Sequence, residues 1–149
     1  MSTYISPAPN GETSKVILFL TDVIGHKFVN AQLLADAYAS RGYFVVMPDL
    51  FHDDPWVLNP PEGATLQSWF VNHLPDTVQP TVDATLKQIK EEIKPKFIGA
   101  VGYCFGGKYV TRLLAGQIDA GYIAHPSLVD MDELAAVTKP LAIAAAGEF

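Results

Sequence analysis

Cys104 is the only cysteine in the 149 residues, and it is flanked as Gly102-x-Cys104-x-Gly106 with a third glycine at position 107. The run Phe97-Ile98-Gly99-Ala100-Val101-Gly102-Tyr103 reads as a short apolar strand. The residues from Lys108 to Leu114 read as a helix that starts almost at once. A strand, a tight glycine turn and a helix with a nucleophilic side chain at the apex make up a nucleophile elbow, here with cysteine where serine is more usual. The glycines have a steric role, because a side chain at Gly102 or Gly106 would meet the neighbouring strand or helix. The helix start places unsatisfied N–H groups and a positive dipole end beside the sulfur, which favours a thiolate. Two plainer readings use the same residues. A solitary cysteine in an apolar run can be a small buried hydrophobe. Glycines after a strand can also cradle phosphate, although neither G-x-G-x-x-G nor a G-K-[ST] ending occurs here.

The other residues able to do chemistry are scattered. His125 follows the next strand-like segment, so it could approach the sulfur, or it could be a loop histidine bonded to backbone. His26 lies just after the first apolar strand, and His52 stands beside Asp53 and Asp54. That trio lacks a standard metal-ligand spacing, and His73 has no distinguishing context. Asp22 and Asp49 each follow a strand and could form a weak acidic pair.

Composition limits the setting for this chemistry. Apolar residues make up 49% and charged residues 17%, with a mean hydropathy of +0.18. Such a balance suits one domain spanning residues 1–149 with a buried parallel sheet. The net charge of −6 argues against nucleic acid or an anionic membrane as the main partner. With one cysteine, no disulfide framework is possible, and a reducing, cytoplasmic setting is expected. No apolar run approaches the roughly 20 residues of a membrane span.

The elements that would carry these residues alternate. Tyr4–Gly11 is read as a short extended piece ended by its prolines and Asn10-Gly11. Lys15–Leu20 is a continuous apolar strand, followed by a loop over Thr21–His26. A helix is expected over 30–40, burying Leu33, Leu34, Ala37 and Tyr38, with Gly42 stopping it. Tyr43–Pro48 is the next strand. Leu50–Pro80 is expected to be a long aromatic excursion, either a lid or a surface loop without a role. Val82, Leu86, Ile89 and Ile93 place a helix over 81–94. After the elbow come a strand over 121–126, a helix from the capping box Asp130-x-x-Glu133 to about Val137, and a last strand over 141–147. Strands alternating with helices imply an α/β fold with right-handed crossovers.

The elbow Gly102-Tyr103-Cys104-Phe105-Gly106-Gly107, the run from Arg41-Gly42-Tyr43 to Pro48-Asp49-Leu50, and the turn His125-Pro126-Ser127 together resemble a dienelactone hydrolase of the fungal type. The resemblance implies an α/β-hydrolase fold and a Cys–His–Asp triad that opens small cyclic enol esters or related esters through a thioester, with no cofactor. It further implies that Cys104 is the nucleophile and that Val23 and Phe105 supply the backbone N–H groups of the oxyanion hole. Asp22 falls where the family carries a glutamate that interacts with the resting cysteine.

The same resemblance implies a chain truncated at both ends. It enters partway through the family's leading antiparallel strands, and the triad aspartate and histidine are expected beyond Gly147-Glu148-Phe149. What remains is an α/β-hydrolase core without its last strands, a doubly wound sheet of five parallel strands in the order 2-1-3-4-5, which is flavodoxin-like. Its last strand would be an open apolar edge, favouring a homodimer or aggregation. Alone, such a chain is expected to turn over esters weakly or not at all. The competing reading is a non-catalytic flavodoxin-like binding or assembly module.

Overall fold

A computed structural model describes residues 2–147 as a single six-stranded sheet with helices on both faces. The strands are β1 (Thr3–Ser6), β2 (Lys15–Leu20), β3 (Phe44–Pro48), β4 (Phe97–Tyr103), β5 (Ala120–Ala124) and β6 (Leu141–Ala144), in the order β1-β3-β2-β4-β5-β6. The last five are parallel and follow the expected 2-1-3-4-5 order. The first is a correction. Residues 3–6 form an antiparallel edge strand on β3, with Thr3 opposite Pro48 and Ser6 opposite Val45, so the sheet is mixed. Pro7 and Pro9 keep that strand short, since proline cannot donate to a ladder and is tolerated at an edge. At the opposite end Ala142, Ile143 and Ala144 of β6 are exposed.

The central strands are buried on both faces. Val16, Leu18 and Leu20 point to one layer, and Ile17 and Phe19 to the other. The first layer holds α3 (Pro75–Gln88) and α4 (Phe105–Leu113), and the second holds α1 (Val29–Ala39). The face that α1 buries differs from expectation. Ala35 and Ala39 are inside, whereas Leu33 is 61% exposed and Leu34 36%. Small residues let the helix lie close to the sheet, and Phe19 and Tyr103 from the strands and Tyr38 from the helix fill the remaining space. Their rings make an edge contact at 6.3 Å and a stacked one at 5.2 Å.

The third helix starts six residues before the expected Thr81. Pro75 occupies its first turn, where the missing N–H costs nothing. Pro80 lies inside the helix but is exposed, so water can reach the carbonyl left without a partner. A π-helical turn over Ile89–Ile93 closes it, and Lys94, in left-handed backbone at φ 54°, leads into Pro95. The aromatic excursion before it proves to be part of the core. Phe51 and Trp69, the latter on the short α2 (Leu66–Phe70), are buried against Phe105 at 5.2 and 6.0 Å between ring centroids. The last helix, α5 (Met131–Ala135), has both halves of the expected capping box and ends two residues early.

Two packing features fix the upper edge of the sheet. The first is the contact between α4 and the strands. A Cβ on Gly106 would sit 2.1 Å from the Leu20 carbonyl oxygen, and one on Gly102 would sit 2.7 Å from the Gly106 backbone. Gly107 faces Pro126 at 2.8 Å in the same sense. The second is the buried His26, which joins three segments. Its Nε2 lies 2.8 Å from the Ser2 hydroxyl and its Nδ1 3.6 Å from Asp49. Asp49 also accepts from the N–H groups of Phe51 and Asp53. Burial holds the His26 imidazole below its usual pKa, outweighing the pull of Asp49 in the other direction.

Gly106→Ala should destabilise the chain by about 3 kcal/mol or more, because the obstructing atoms are backbone. Leu33→Lys on exposed α1 should stay within about 0.5 kcal/mol of the parent. Urea unfolding of the two variants reads both numbers. The buried imidazole gives stability a pH dependence of known sign. The folded state disfavours imidazolium, so stability is complete above the unfolded value near about 6.5 and is lost as pH falls through and below it. The urea midpoint should therefore drop between about pH 7.5 and 5.5, and His26→Gln should flatten that drop.

Candidate active site

Cys104 lies between β4 and α4 with φ 51° and ψ −110°, a backbone state that L-residues rarely adopt. Such strain costs about 1–3 kcal/mol and persists only where neighbours over-determine it. Here they do. The Cys104 N–H donates to the Ala124 carbonyl at 3.0 Å, and the Cys104 carbonyl accepts from Gly107 and Ser127, each at 3.1 Å. Cys104 is half-buried as a residue, outside the two clusters of the buried core. Gly102 and Gly106 flank it with the close backbone approaches that the sequence pattern predicts, and Gly107 lies against the Pro126 side chain.

The loop after β2 stands beside the elbow, because Leu20 pairs with Gly102 in the parallel ladder. Val23 is three residues further on, and its carbonyl accepts from Trp56 at 2.8 Å, which fastens the loop to the aromatic excursion. Phe105 is the first residue of α4 and is fully buried. Neither the Val23 N–H nor the Phe105 N–H has an acceptor among the described residues. Asp22 is committed locally, its Oδ1 accepting from the Ile24 N–H at 2.9 Å. Asp49 is likewise engaged by its own loop and His26.

His125 is exposed, in left-handed backbone at φ 36°, with its N–H donated to Ala144. Its ring lies 6.4 Å from the Tyr103 ring and has no hydrogen bond to the sulfur. Asp22, Tyr103 and His125 nevertheless share a cavity of about 140 Å³ with Phe19 and Phe28. Burial, reinforced by the Tyr38 hydroxyl at 2.8 Å, pushes the Tyr103 phenol far above its usual pKa, so it is no base at neutral pH. A second cavity, of about 340 Å³, runs along α4 between Phe70, Phe105, Tyr109 and Leu128. The remaining histidines point elsewhere. His52 bonds Thr81, and its neighbours Asp53 and Asp54 face Lys27 and His73, so the trio is dispersed. His73, undistinguished in sequence, is buried and stacked on Trp69 at 4.0 Å.

Two residues near the sulfur escape sequence reasoning. The Ser127 hydroxyl is the side-chain partner of Cys104, with Oγ 3.7 Å from Sγ. Lys108, one helical turn beyond Cys104, is buried and reaches Leu128, Asp130 and Glu133. Burial works against the charged form of Glu133, but hydrogen bonds from the Asp130 N–H, Lys108 and Arg112 outweigh it and hold its carboxyl below the usual range. A capping box and a helical lysine are visible in sequence, but their meeting depends on tertiary packing.

These features can be set beside known proteins. The hydrolase tropI of Talaromyces stipitatus is 47% identical over 99% of this chain and 62% of its own length. The hydrolase pyvD of Aspergillus violaceofuscus is 44% identical over 97% of this chain and 60% of its own. The chain thus spans about 60% of the length of these relatives. Among solved structures, a dienelactone hydrolase-like promiscuous phosphotriesterase, P91, from metagenomic libraries superposes with a TM-score of 0.64 at 17% identity. That match covers 87% of this chain and 55% of the other, and shows a shared α/β-hydrolase fold. The sequence profile of one family matches residues 1–148, elbow included, and the chain therefore belongs to the dienelactone hydrolase family.

Proposed function

We propose that this chain carries the nucleophile and oxyanion hole of a carboxylic ester hydrolase acting on small esters or lactones through a cysteine thioester. The observation that carries the reading is Cys104 itself, a half-buried thiol on a strained backbone at the start of a nine-residue helix. In this reading the thiolate attacks the ester carbonyl, a C–S bond forms, and the carbonyl π pair moves onto oxygen. The Val23 and Phe105 N–H groups, free of other acceptors, stabilise that oxyanion, each by about 3–4 kcal/mol in comparable sites. Collapse breaks the C–O bond and releases the alkoxide, which takes a proton and departs or, from a lactone, stays tethered. Water then cleaves the thioester and restores the thiol.

The last step needs a base for water, and no imidazole is hydrogen-bonded to the sulfur among the described residues. The 149 residues by themselves are proposed to acylate readily and deacylate slowly. The resemblance places the family's triad aspartate just beyond Glu148 and Phe149, which are outside the described residues, and its histidine in a later loop.

Incubation with an activated aryl acetate, followed by intact-mass analysis, tests this. One acetyl group per chain should appear with a stoichiometric burst of the aryl alcohol, then little turnover, and Cys104→Ala should abolish both. Native protein that is not acylated at Cys104, or a burst that survives Cys104→Ala, overturns the reading.

A further inference from the structure

We propose that Ser127 is a positioning residue for the Cys104 thiolate, and that Lys108 holds it there by clamping the loop that carries it. The inference rests on Cys104 being the nucleophile, and it assigns the sulfur a partner outside any triad. The loop over 125–130 joins β5 to α5 and is fastened to the elbow twice by the same residue. The Ser127 N–H donates to the Cys104 carbonyl at 3.1 Å, and its hydroxyl lies 3.7 Å from the Cys104 sulfur. Once the thiol ionises, a sulfur anion can only accept, so the serine hydroxyl becomes the donor.

The loop would not hold this shape unaided. His125 and Leu128, on either side of Pro126-Ser127, both have positive φ, at 36° and 60°. Each such non-glycine residue raises the energy of the loop, so its shape must be imposed from outside. Lys108 imposes it. Its ammonium has three N–H donors, and they meet the Leu128 carbonyl at 2.8 Å, Asp130 at 3.0 Å and Glu133 at 3.0 Å. All the contacts fall on the loop or on the start of the helix it leads into. Because Lys108 is on α4, the clamp ties the loop to the helix that starts beside the sulfur. Pro126 against Gly107 completes the fit, since any side chain at position 107 would push the loop away.

The test follows the rate of Cys104 alkylation by iodoacetamide against pH in the folded 149-residue chain. The titratable groups on the elements around the sulfur are Asp22 and His26 after β2, Tyr103 on β4, Lys108, Tyr109 and Arg112 on α4, Tyr122 on β5, and His125, Asp130 and Glu133 after β5. Ser127→Ala changes none of them, so it isolates the hydroxyl. Removing a donor to the thiolate should raise the pH of half-maximal labelling by about half to one unit. Lys108→Met should raise it too, partly by removing a charge, so the double variant decides. If Lys108 acts through Ser127, the double variant shifts the midpoint by less than the sum of the single shifts.

An unchanged midpoint in Ser127→Ala overturns the inference, and so do additive shifts in the double variant. Should Lys108→Met fail to fold, Lys108→Arg, which keeps the charge but not the compact three-donor ammonium, replaces it in the same cycle. Parent protein that labels only on unfolding overturns the nucleophile reading instead, so the two failures are distinguishable.

Discussion

The arrangement depends on one close contact, where the first turn of α4 rests directly on the end of β2. At Gly106 there is no room for even a methyl group between the helix backbone and the Leu20 carbonyl. That proximity forces the chain to turn within one residue after Tyr103, and the residue that absorbs the turn is Cys104, at a positive φ. The strain and the proposed reactivity therefore have a common origin. A helix packed a few ångströms further out would relax the cysteine backbone, and it would also move the Phe105 N–H away from the loop that carries Val23.

Around this contact the two layers of the fold do different things. On the α3 and α4 side, Phe51, Trp69 and Phe70 converge on Phe105, with His73 stacked on Trp69, so the aromatic excursion buttresses the residue after Cys104. On the α1 side alanines bring the helix close, and the hydrogen-bonded Tyr38–Tyr103 pair fills the space under the elbow. Of β6 only Leu141 packs against the α3 and α4 layer, and Ala142, Ile143 and Ala144 remain exposed. The buried core thus lies beneath the cysteine, which suits a site that must hold one atom still.

The sequence made some of this legible and hid the rest, for identifiable reasons. The five parallel strands could be read because continuous apolar runs of five to seven residues bounded by turn residues have few other interpretations. The elbow could be read because glycines at fixed offsets from a cysteine encode a steric demand. The buried face of α1 could not, since hydrophobicity points to Leu33 and Leu34 while packing distance selects Ala35 and Ala39. The antiparallel pairing of Thr3–Ser6 was hidden because four residues between a terminus and a proline carry almost no pattern. Lys108 was hidden by its charge. A lysine is presumed to face water, and only the convergence of a carbonyl and two carboxylates makes its burial tolerable.

Asp22 shows how a single methylene can redistribute roles within a site. The family resemblance places a glutamate there, in contact with the resting cysteine. In this chain the shorter carboxylate turns back onto the N–H two residues ahead, closing an Asx-type turn at Ile24. A carboxylate held that way stabilises the loop and orients Val23, but its hydrogen-bonding Oδ1 is engaged with its own backbone rather than with the sulfur. The sulfur finds its side-chain contact on the opposite strand end, at Ser127. The exchange has an electrostatic consequence. A carboxylate beside a thiol opposes ionisation, whereas a hydroxyl can donate to the thiolate and favour it. The resting cysteine would then be governed by a neutral donor on a clamped loop, with the nearby acid reserved for shaping the oxyanion side.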